Sequence, residues 1–236
     1  MISNYLKIAW RNLFKNKVYG GINIIGLAIG IASFILILLY MNYELSYDKW
    51  HSSLRKVYRV GMEDKTGIVF EGATPAPLGR FFKDNYPHVA AATTIAGGGT
   101  YEIMIAAGEK KIFQAGIVEV DSSFFKVFPY ELKQGNIDNA LNAPDAAVIS
   151  EEVSKKLFGN EDPVNKTIKL YNAFDVTIKG VLKTVDAPTS LNTHILFRSP
   201  HARDNFHWGN YSYNTYLKLD RVAETGVLAA DLNEIY

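Results

Sequence analysis

The sequence predicts an α+β protein in which one N-terminal transmembrane helix precedes a mixed extracytoplasmic domain. Residues 18–43 contain no charged side chain, whereas residues 44–236 intermingle strand-like and helix-like segments. The chain has no cysteine, so the domain must be held by packing, which the 48% hydrophobic and 13% aromatic content can supply. No period of about 20 to 50 residues repeats, which argues against a solenoid.

Residues 18–43 are long and apolar enough for a membrane span. About 20 to 22 helical residues rise roughly 30 Å, which is the thickness of the hydrocarbon core of a bilayer. Apolar side chains occupy every side of this helix, so it lacks the polar face of a soluble helix. A cleaved signal peptide is the alternative, but the run ends in Tyr40 and Tyr43, which suit a membrane interface better than a peptidase site.

The charges on either side of the span predict its orientation. Four basic residues and no acidic residue precede it: Lys7, Arg11, Lys15 and Lys17. Glu44 and Asp48 follow it. Because basic flanks are retained in the cytoplasm, residues 1–17 are predicted to form a basic amphipathic cytoplasmic segment. The first three basic residues recur every four positions, so they either share one helix face beside membrane lipid or serve only to set the topology.

Small residues within the span predict a surface for packing against another membrane helix. Gly26 and Gly30 are four residues apart, and Ser33, Ala28 and Ala32 add further small residues to this part of the span. This arrangement lets two helix backbones approach closely. The alternative is that these residues reflect composition alone, because glycine is common in membrane helices.

The elements of the domain are predicted from strand, helix and turn patterns. Strands are predicted at 57–62, 90–95, 102–106, 112–120, 146–149, 166–170, 175–181, 193–197 and 215–219. Helices are predicted at 75–85, 151–158 and 222–236, with a compact aromatic unit at 121–128 and hairpin turns at 108–109 and 171–174. Asp121 and Ser150 are predicted N-caps, and Gly159 is a predicted helix stop. The final helix has no capping signal, so we expect the sequence to be a fragment of a longer protein.

The sequence offers no motif for catalysis, for a cofactor or for a metal. Neither G-x-x-x-x-G-K-[ST] nor G-x-G-x-x-G occurs, and the three glycines at 97–99 lack the lysine and hydroxyl that hold a phosphate. His201 and His207, with Asp204 between them, fit no common metal-ligand spacing. The nucleophile motif G-x-S-x-G is also absent. With 25 basic and 24 acidic residues, the chain gives no reason to expect a nucleic-acid partner.

Several short segments, taken in order and spacing, resemble one known family. They include Tyr43-Glu-Leu-Ser-Tyr-Asp48, Val148-Ile-Ser-Glu-Glu152 and Lys156-Leu-Phe-Gly159, with others at 5–13, 22–30, 57–59, 74–77, 120–125, 161–164, 166–167 and 180–183. Together they resemble the MacB/FtsX-type permease subunits of ABC transporters, in their first membrane helix and the periplasmic core domain that follows. The resemblance covers almost the whole chain. Asn165 is a departure, because the family often has glycine there, and it concerns one local turn.

The resemblance implies a function for the chain. It would be a permease subunit in the cell inner membrane that couples ATP hydrolysis by a separate cytoplasmic ABC ATPase subunit to export or to cell-envelope remodelling. Its partners would be that ATPase, a second permease in a homodimer or heterodimer, a periplasmic adaptor and membrane lipid. Movement of membrane helices would be transmitted to the periplasmic domain, which needs no catalytic residue outside the membrane.

The resemblance also implies a domain plan. Residues 44–236 would form the periplasmic core domain with an incomplete C-terminal end, and a second lobe at about 121–200 would be inserted between its early and final segments. Three further membrane helices, or a repeat of the whole unit, would complete the subunit. Two other functions stay open at this point. One is a membrane-tethered extracytoplasmic sensor or binding module, and the other is a membrane-anchored hydrolase.

Overall fold

The structure, a computed structural model, describes residues 5, 7, 10, 11, 15, 17–63, 66–72, 74–97, 99–191, 193–198 and 207–221. The chain divides after Tyr47 into two compact units. The first unit contains a long helix, and the second contains a large β-sheet with short helices.

Helix α1 covers Lys17–Glu44 and contains the whole predicted span. Its most apolar stretch has a mean hydropathy of 2.7, and none of that stretch is buried. Its 28 residues rise about 42 Å, which exceeds the hydrocarbon thickness of a bilayer. By length and composition α1 is able to cross a membrane, and it is the one such helix among the residues that the structure describes. The prediction of a long apolar N-terminal helix is confirmed.

The second unit alternates strands with short helices. Its strands are β1 (Val57–Arg59), β2 (Gly61–Glu63), β3 (Val69–Glu71), β4 (Val89–Gly97), β5 (Ile103–Ala107), β6 (Lys110–Gln114), β7 (Ile117–Val120), β8 (Leu132–Gly135), β9 (Ala146–Ser150), β10 (Thr167–Leu170), β11 (Phe174–Leu182), β12 (Ile195–Phe197) and β13 (Asn214–Leu219). Its helices are α2 (Leu78–Asn85), α3 (Phe124–Val127) and α4 (Glu151–Phe158), and a 3₁₀ turn covers Ser52–Lys56.

Eleven of these strands form one mixed sheet. Their order is β1-β13-β4-β7-β12-β9-β11-β10-β5-β6, with β8 added beside β11, while β2 and β3 form a separate hairpin. Most neighbours run antiparallel, but β9 is parallel to β11 and β7 is parallel to β12. A sheet of this kind with helices between its strands is an α+β architecture, so the predicted fold class is confirmed.

Hydrophobic clusters hold the helices against the sheet. Phe124 and Val127 of α3 are fully buried in one cluster, and Val153 of α4 lies in a second with the apolar side chains of β9 to β12. Leu78 and Phe82 of α2 pack in a third against β4 and β13. This contiguous burial supplies the packing that a domain without cysteine requires.

Local signals predict α4 correctly. Ser150 is its N-cap, and the side-chain oxygen accepts a hydrogen bond from the Val153 N–H at 3.3 Å. The acidic residues Glu151 and Glu152 occupy the first turn, where the helix dipole favours them. Gly159 ends the helix with a positive φ of 64°. Each of these features depends on residues close in sequence, which is why the pattern alone identifies them.

Two predicted strands are each divided in the structure. The segment at 57–62 separates into β1 and β2 around Val60, whose N–H donates to the Thr215 carbonyl at 2.9 Å. The segment at 112–120 separates into β6 and β7 at Gly116, which has a φ of 70°. In both cases the two halves pair with different strands, so a continuous strand would leave one partner unpaired. Strands β3 and β8 and the 3₁₀ turn were not predicted.

The prediction that Asp121 caps a helix is wrong. The N-cap of α3 is Ser123, and the Asp121 carboxylate accepts hydrogen bonds from the Ser123 N–H at 2.8 Å, the Thr94 N–H at 2.8 Å and the Thr93 hydroxyl at 2.9 Å. Asp121 therefore joins the start of α3 to β4. Burial raises the pKa of this carboxyl, and the hydrogen bonds from Thr94, Ser123 and Thr93 oppose that rise.

Some predictions are not tested by the structure. The helix at 222–236, the middle glycine of 97–99, and His201 with Asp204 lie outside the described residues. The inserted lobe at 121–200 stays a prediction, since strands β8 to β12 of that range share one sheet with β4 to β7.

Asn165, the position where the resemblance implies glycine, has a backbone conformation that glycine also adopts readily. Its φ is 66°, in the left-handed region that glycine and asparagine tolerate best. Its N–H donates to the Ile178 carbonyl at 2.7 Å, and its Oδ1 accepts from Lys179 Nζ at 3.2 Å. The substitution therefore preserves the turn before β10.

Two substitutions at Asn165 test whether the backbone conformation holds this turn. Asn165→Val should lower the free energy of unfolding by about 1–2 kcal/mol, because a β-branched side chain is strained at positive φ. Asn165→Gly should change it by less than about 1 kcal/mol, because glycine adopts this φ freely. Both variants lose the amide that accepts from Lys179, so only the backbone preference differs. Thermal unfolding of the detergent-solubilised chain measures both, and equal losses would contradict the backbone explanation.

Candidate functional site

A hydrogen-bonded cluster anchors the first residue of the second unit. Asp48 follows the end of α1 by four residues, and its Oδ1 accepts from the Thr189 hydroxyl at 2.9 Å and from the Ser190 N–H at 3.0 Å. Its Oδ2 accepts from the Ser190 hydroxyl, and its own N–H donates to the Pro188 carbonyl at 3.0 Å. We call Asp48, Pro188, Thr189 and Ser190 the Asp48 clamp.

The last residues of the first unit are also firmly held. The Leu45 N–H donates to the Met41 carbonyl at 2.9 Å, and both the N–H and the hydroxyl of Ser46 donate to the Tyr43 carbonyl, at 3.0 and 2.6 Å. The rings of Tyr43 and Tyr47 meet edge to face at 5.5 Å. The peptide bond between Tyr47 and Asp48 is therefore anchored on each side within its own unit, and the sequence between α1 and the clamp contains no glycine-rich linker.

The clamp connects to the sheet through the segment that precedes β12. The Leu191 carbonyl accepts from the Tyr130 hydroxyl at 3.4 Å and from the Thr193 hydroxyl at 3.0 Å. The His194 N–H then donates to the Gly116 carbonyl at 2.8 Å, one residue before β7. Burial is the main cause that raises the pKa of Tyr130, so this hydroxyl stays neutral and acts as a donor. The segment that follows the clamp is thus hydrogen-bonded next to two central strands, β7 and β12.

Stacked aromatic rings give a second route from the clamp to the core. Trp50 lies 5.2 Å from Tyr130, which stacks on Phe124 at 5.8 Å. Phe124 lies 5.0 Å from Phe128, which meets Tyr216 of β13 edge to face at 5.1 Å. We call these five rings the aromatic column. Close-packed rings of this kind transmit displacement because the interior is nearly incompressible.

The aromatic column lies beside a cavity and beside a buried hydrogen-bond donor. A cavity of about 290 Å³ is lined by Asp48, Trp50, Tyr130 and Tyr216 together with neighbouring side chains. The Trp50 indole nitrogen is buried, and the described residues supply no acceptor for its N–H. A buried donor without a partner destabilises a structure by about 1–3 kcal/mol. The Trp50 N–H is therefore a buried donor beside this cavity, without an acceptor among the described residues.

A larger cavity of about 390 Å³ lies between α2 and the start of α3. Side chains of both charges line it, including Arg80, Lys83, Arg198, Glu119 and Asp121. The Asp121 carboxylate is already engaged by three donors, as described above. This lining has no nucleophile paired with a base and thus suggests no reaction.

No chemical centre is formed by the residues that the structure describes. Among them, no group of three or more histidine, aspartate or glutamate side chains is arranged to hold a metal. His207 is described, but the other two members of the sequence cluster are not. The predicted absence of a catalytic, cofactor or metal site stays a prediction.

The predicted helix and flank residues are placed as follows. Gly26, Gly30 and Ser33 are exposed on α1, and a Cβ added at either glycine would have open space around it. Lys7, Arg11, Lys15 and Lys17 are exposed and helical. Their roles in packing and in cytoplasmic contact stay predictions.

Sequence reasoning noted Asp48 only as an acidic residue after the span and as the end of a motif, and it predicted no site role for any member of the Asp48 clamp. Asp48 ends the segment Tyr43-Glu-Leu-Ser-Tyr-Asp48 that contributed to the family resemblance. Its positive φ of 55° fits aspartate among the few residues that tolerate this conformation. Thr189 and Ser190 carry no local signal, because they lie more than 140 residues further along the chain.

Comparisons with known proteins give a consistent result. A family model described as MacB-like periplasmic core domain matches residues 21–235. A domain of a proposed permease protein from Porphyromonas gingivalis superposes with a TM-score of 0.64 and 21% identity, covering 77% of this chain and 82% of that one. The periplasmic region of MacB from Actinobacillus actinomycetemcomitans gives 0.53 and 16%, covering 76% and 80%.

A third solved structure extends the likeness to other bacteria. The extracellular domain of the noncanonic ABC-type transporter YknZ from Gram-positive bacteria gives a TM-score of 0.50 and 16% identity, covering 73% of this chain and 87% of that one. At these identities the structures show a shared fold. The comparison with curated proteins gives no match.

Removal of the Asp48 carboxylate should release the segment at 188–191. Asp48→Gly keeps the positive φ without strain and removes both carboxylate oxygens that accept hydrogen bonds in the clamp. Amide hydrogen exchange at Ser190 should therefore rise by about tenfold, which corresponds to a loss of about 1.4 kcal/mol. Asp48→Asn retains one acceptor oxygen and should give a smaller increase. Asp186→Ala is the control, because this exposed carboxylate belongs to the same segment. An unchanged Ser190 amide in Asp48→Gly would show that the clamp contributes no stability.

Proposed function

Because the chain belongs to the family of MacB-like periplasmic core domains, the extracytoplasmic part of ABC transporter permeases, we propose that it couples ATP hydrolysis by a separate cytoplasmic subunit to export or to cell-envelope remodelling. Helix α1 lies in the cell inner membrane, residues 1–17 are cytoplasmic, and residues 44–236 are periplasmic. The ATPase, a second permease subunit, a periplasmic adaptor and membrane lipid are its partners. The observation that carries this proposal is the Asp48 clamp, directly after a helix that is able to span the membrane.

The clamp converts motion of α1 into motion of the domain. The bonds at 45–47 make the end of the helix stiff, and the clamp fixes the next residue to the segment before β12. A shift of the helix end would act on Asp48 through the single peptide bond that joins Tyr47 to it. Directional hydrogen bonds and stacked rings then carry that displacement to β12 and β13.

The unsatisfied Trp50 donor and the adjoining cavity support a domain with more than one arrangement. The segment at 188–191 and the aromatic column both line this cavity, so a second arrangement of the segment would change the packing of the column. A second arrangement that gives the Trp50 N–H an acceptor would gain about 1–3 kcal/mol, which shifts a two-state equilibrium by about 5- to 150-fold. Work from ATP hydrolysis can therefore select between closely balanced states.

The coupling requires no chemistry in the periplasm. Hydrolysis is assigned to the ATPase subunit, and the extracytoplasmic domain responds mechanically. This division agrees with the absence of nucleotide-binding motifs from the sequence. The basic residues Lys7, Arg11, Lys15 and Lys17 are proposed to contact anionic lipid or the ATPase at the cytoplasmic surface.

The mechanical proposal is tested without knowledge of a cargo. The full-length protein is purified from its native membrane with the nucleotide-binding subunit that accompanies it, and hydrogen exchange is measured with and without ATP and vanadate. Nucleotide should change exchange at 187–191 and in β12. Asp48→Gly should keep ATP hydrolysis within about twofold while abolishing that change, because hydrolysis and its transmission are separate steps.

Two outcomes would overturn the proposal. Purification without any ATPase subunit would favour the tethered sensor or binding module instead. An exchange response that is the same in Asp48→Gly and in the control Asp186→Ala would show that force does not pass through the clamp.

The small-residue surface of α1 is proposed to pack against another membrane helix. Gly26→Ile with Gly30→Ile should reduce association of the chain with its membrane partners, because the added side chains hold the backbones apart. Ala28→Ile with Ala32→Ile has the same spacing and similar bulk about 200° around the helix, so it serves as the control. Co-purification from membranes measures both. If the glycine variant still associates with its partners, the packing role is wrong and α1 only anchors the chain in the membrane.

A further inference from the structure

Strand β6 forms one end of the large sheet. It pairs with β5 on one side, and the described residues provide no strand on its other side. The opposite end of the sheet is β1, which has only three residues. Strand β8, which is added beside β11, is a further edge of four residues, so β6 with five is the longest of the three edges and leaves the longest row of backbone groups available.

The hairpin geometry decides which backbone groups of β6 face outward. The two-residue turn at 108–109 makes Ala107 and Lys110 the closing hydrogen-bonded pair, so Ile112 and Gln114 also bond to β5. The N–H and C=O groups of Lys111 and Phe113 consequently point away from the sheet. These two residues also direct their side chains to the same face, since they are two positions apart.

The side chain of Phe113 is unusually placed for an edge. It is 65% exposed, and it lies opposite Met104 of β5 on the face away from α4. A lysine at a sheet edge normally serves to discourage association with other strands, and Lys110 and Lys111 fit that role. An exposed phenylalanine beside them works against it. The combination indicates a selective pairing surface rather than a blocked one.

We propose that β6 pairs antiparallel with β6 of a second copy of this chain, with Ile112 opposite Ile112 of the second copy at the two-fold axis. Lys111 then lies opposite Phe113 of the second copy, and Phe113 lies opposite Lys111 of the second copy. Each such pair exchanges two backbone hydrogen bonds, so the junction contains four. The inference rests on the part of the proposed function that names a second permease subunit, and it assigns a surface to that contact. Its test measures no ATP hydrolysis, so its failure is distinguishable from a failure of the proposed coupling.

The side chains favour this register over the two registers that are shifted by two residues. The stem of Lys111 covers the opposing phenyl ring, and its ammonium group interacts with the ring face. Lys110 is placed opposite Gln114, so no like charges meet. A shift of two residues one way would set Lys111 against Lys111, which repels. A shift the other way would pair only the last three residues of the strand, leaving Lys110 and Lys111 outside it.

The paired strands bury a small area, so stable pairing requires the high local concentration of a shared membrane. A five-residue strand pair buries far less than the roughly 1,200–2,000 Å² of a stable soluble complex. Two copies confined to one membrane have a high effective concentration, which raises the occupancy of a weak contact. The pairing is thus expected in the membrane and not in dilute solution.

Cysteine cross-linking tests the register because the chain has no native cysteine. Full-length Lys111→Cys and Phe113→Cys variants carry different tags and are expressed together in membranes, and copper phenanthroline oxidises the thiols. Opposed residues of a hydrogen-bonded pair lie about 5.5 Å apart, within disulfide range. The mixed disulfide should form at least fivefold more than either homodimer, because like residues lie about 7–8 Å apart. Ile112→Cys alone should cross-link with itself.

A second set of variants tests the backbone bonds. Phe113→Pro removes an outward N–H and leaves the pairing with β5 intact, so it should lower Ile112→Cys cross-linking about fivefold. Phe113→Ser keeps the N–H and should lower it less. Cross-links that form equally in all combinations would indicate random collision and overturn the proposal. Cross-linking to a different protein would show that the edge serves another partner and would overturn it as well.

Discussion

Strand β13 lies between β1 and β4, and this pairing of distant segments holds the sheet-containing unit together. Its register sets Val57 opposite Lys218 and Thr215 opposite Thr94, which joins the last described strand to the first. Thr74 reinforces the junction, because its hydroxyl lies 2.9 Å from that of the buried Thr215. The strand nearest α1 in sequence is therefore a neighbour of residues more than 150 positions away, so it cannot move independently of the sheet.

The Asp48 clamp matters because the strands early and late in the sequence are paired in one sheet. A carboxylate that only held a surface loop would move the loop and nothing else. Here the loop continues directly into β12, and the aromatic column leads from Trp50 to Tyr216 on β13. Two routes of different chemistry, one of directional hydrogen bonds and one of ring contacts, therefore lead to two strands of one sheet, β12 and β13.

The sequence predicts those parts of the fold that depend on short-range interactions. The apolar run of α1, the cap and stop of α4, and the turn around Tyr171 and Asn172 are each defined by residues within a few positions, and each is present. Predictions fail where a residue or strand has a bonding partner that lies far away in the sequence. Asp121 resembles a helix cap, but Thr93 and Thr94 reach its carboxylate from β4. Strand β8 has one apolar residue and forms only because β11 offers it an edge.

The same distinction between short-range and long-range interactions applies to the candidate site. Asp48 is visible in a motif, whereas the residues that make it a clamp lie across a sequence gap that pattern reasoning cannot bridge. A force-transmitting site also has no fixed chemical signature, because any acceptor that holds two donors would serve. Catalytic sites constrain residue type through reactivity, but mechanical sites constrain only position and stiffness. For a protein of this family, the connections between elements are therefore more informative about function than the identities of individual side chains.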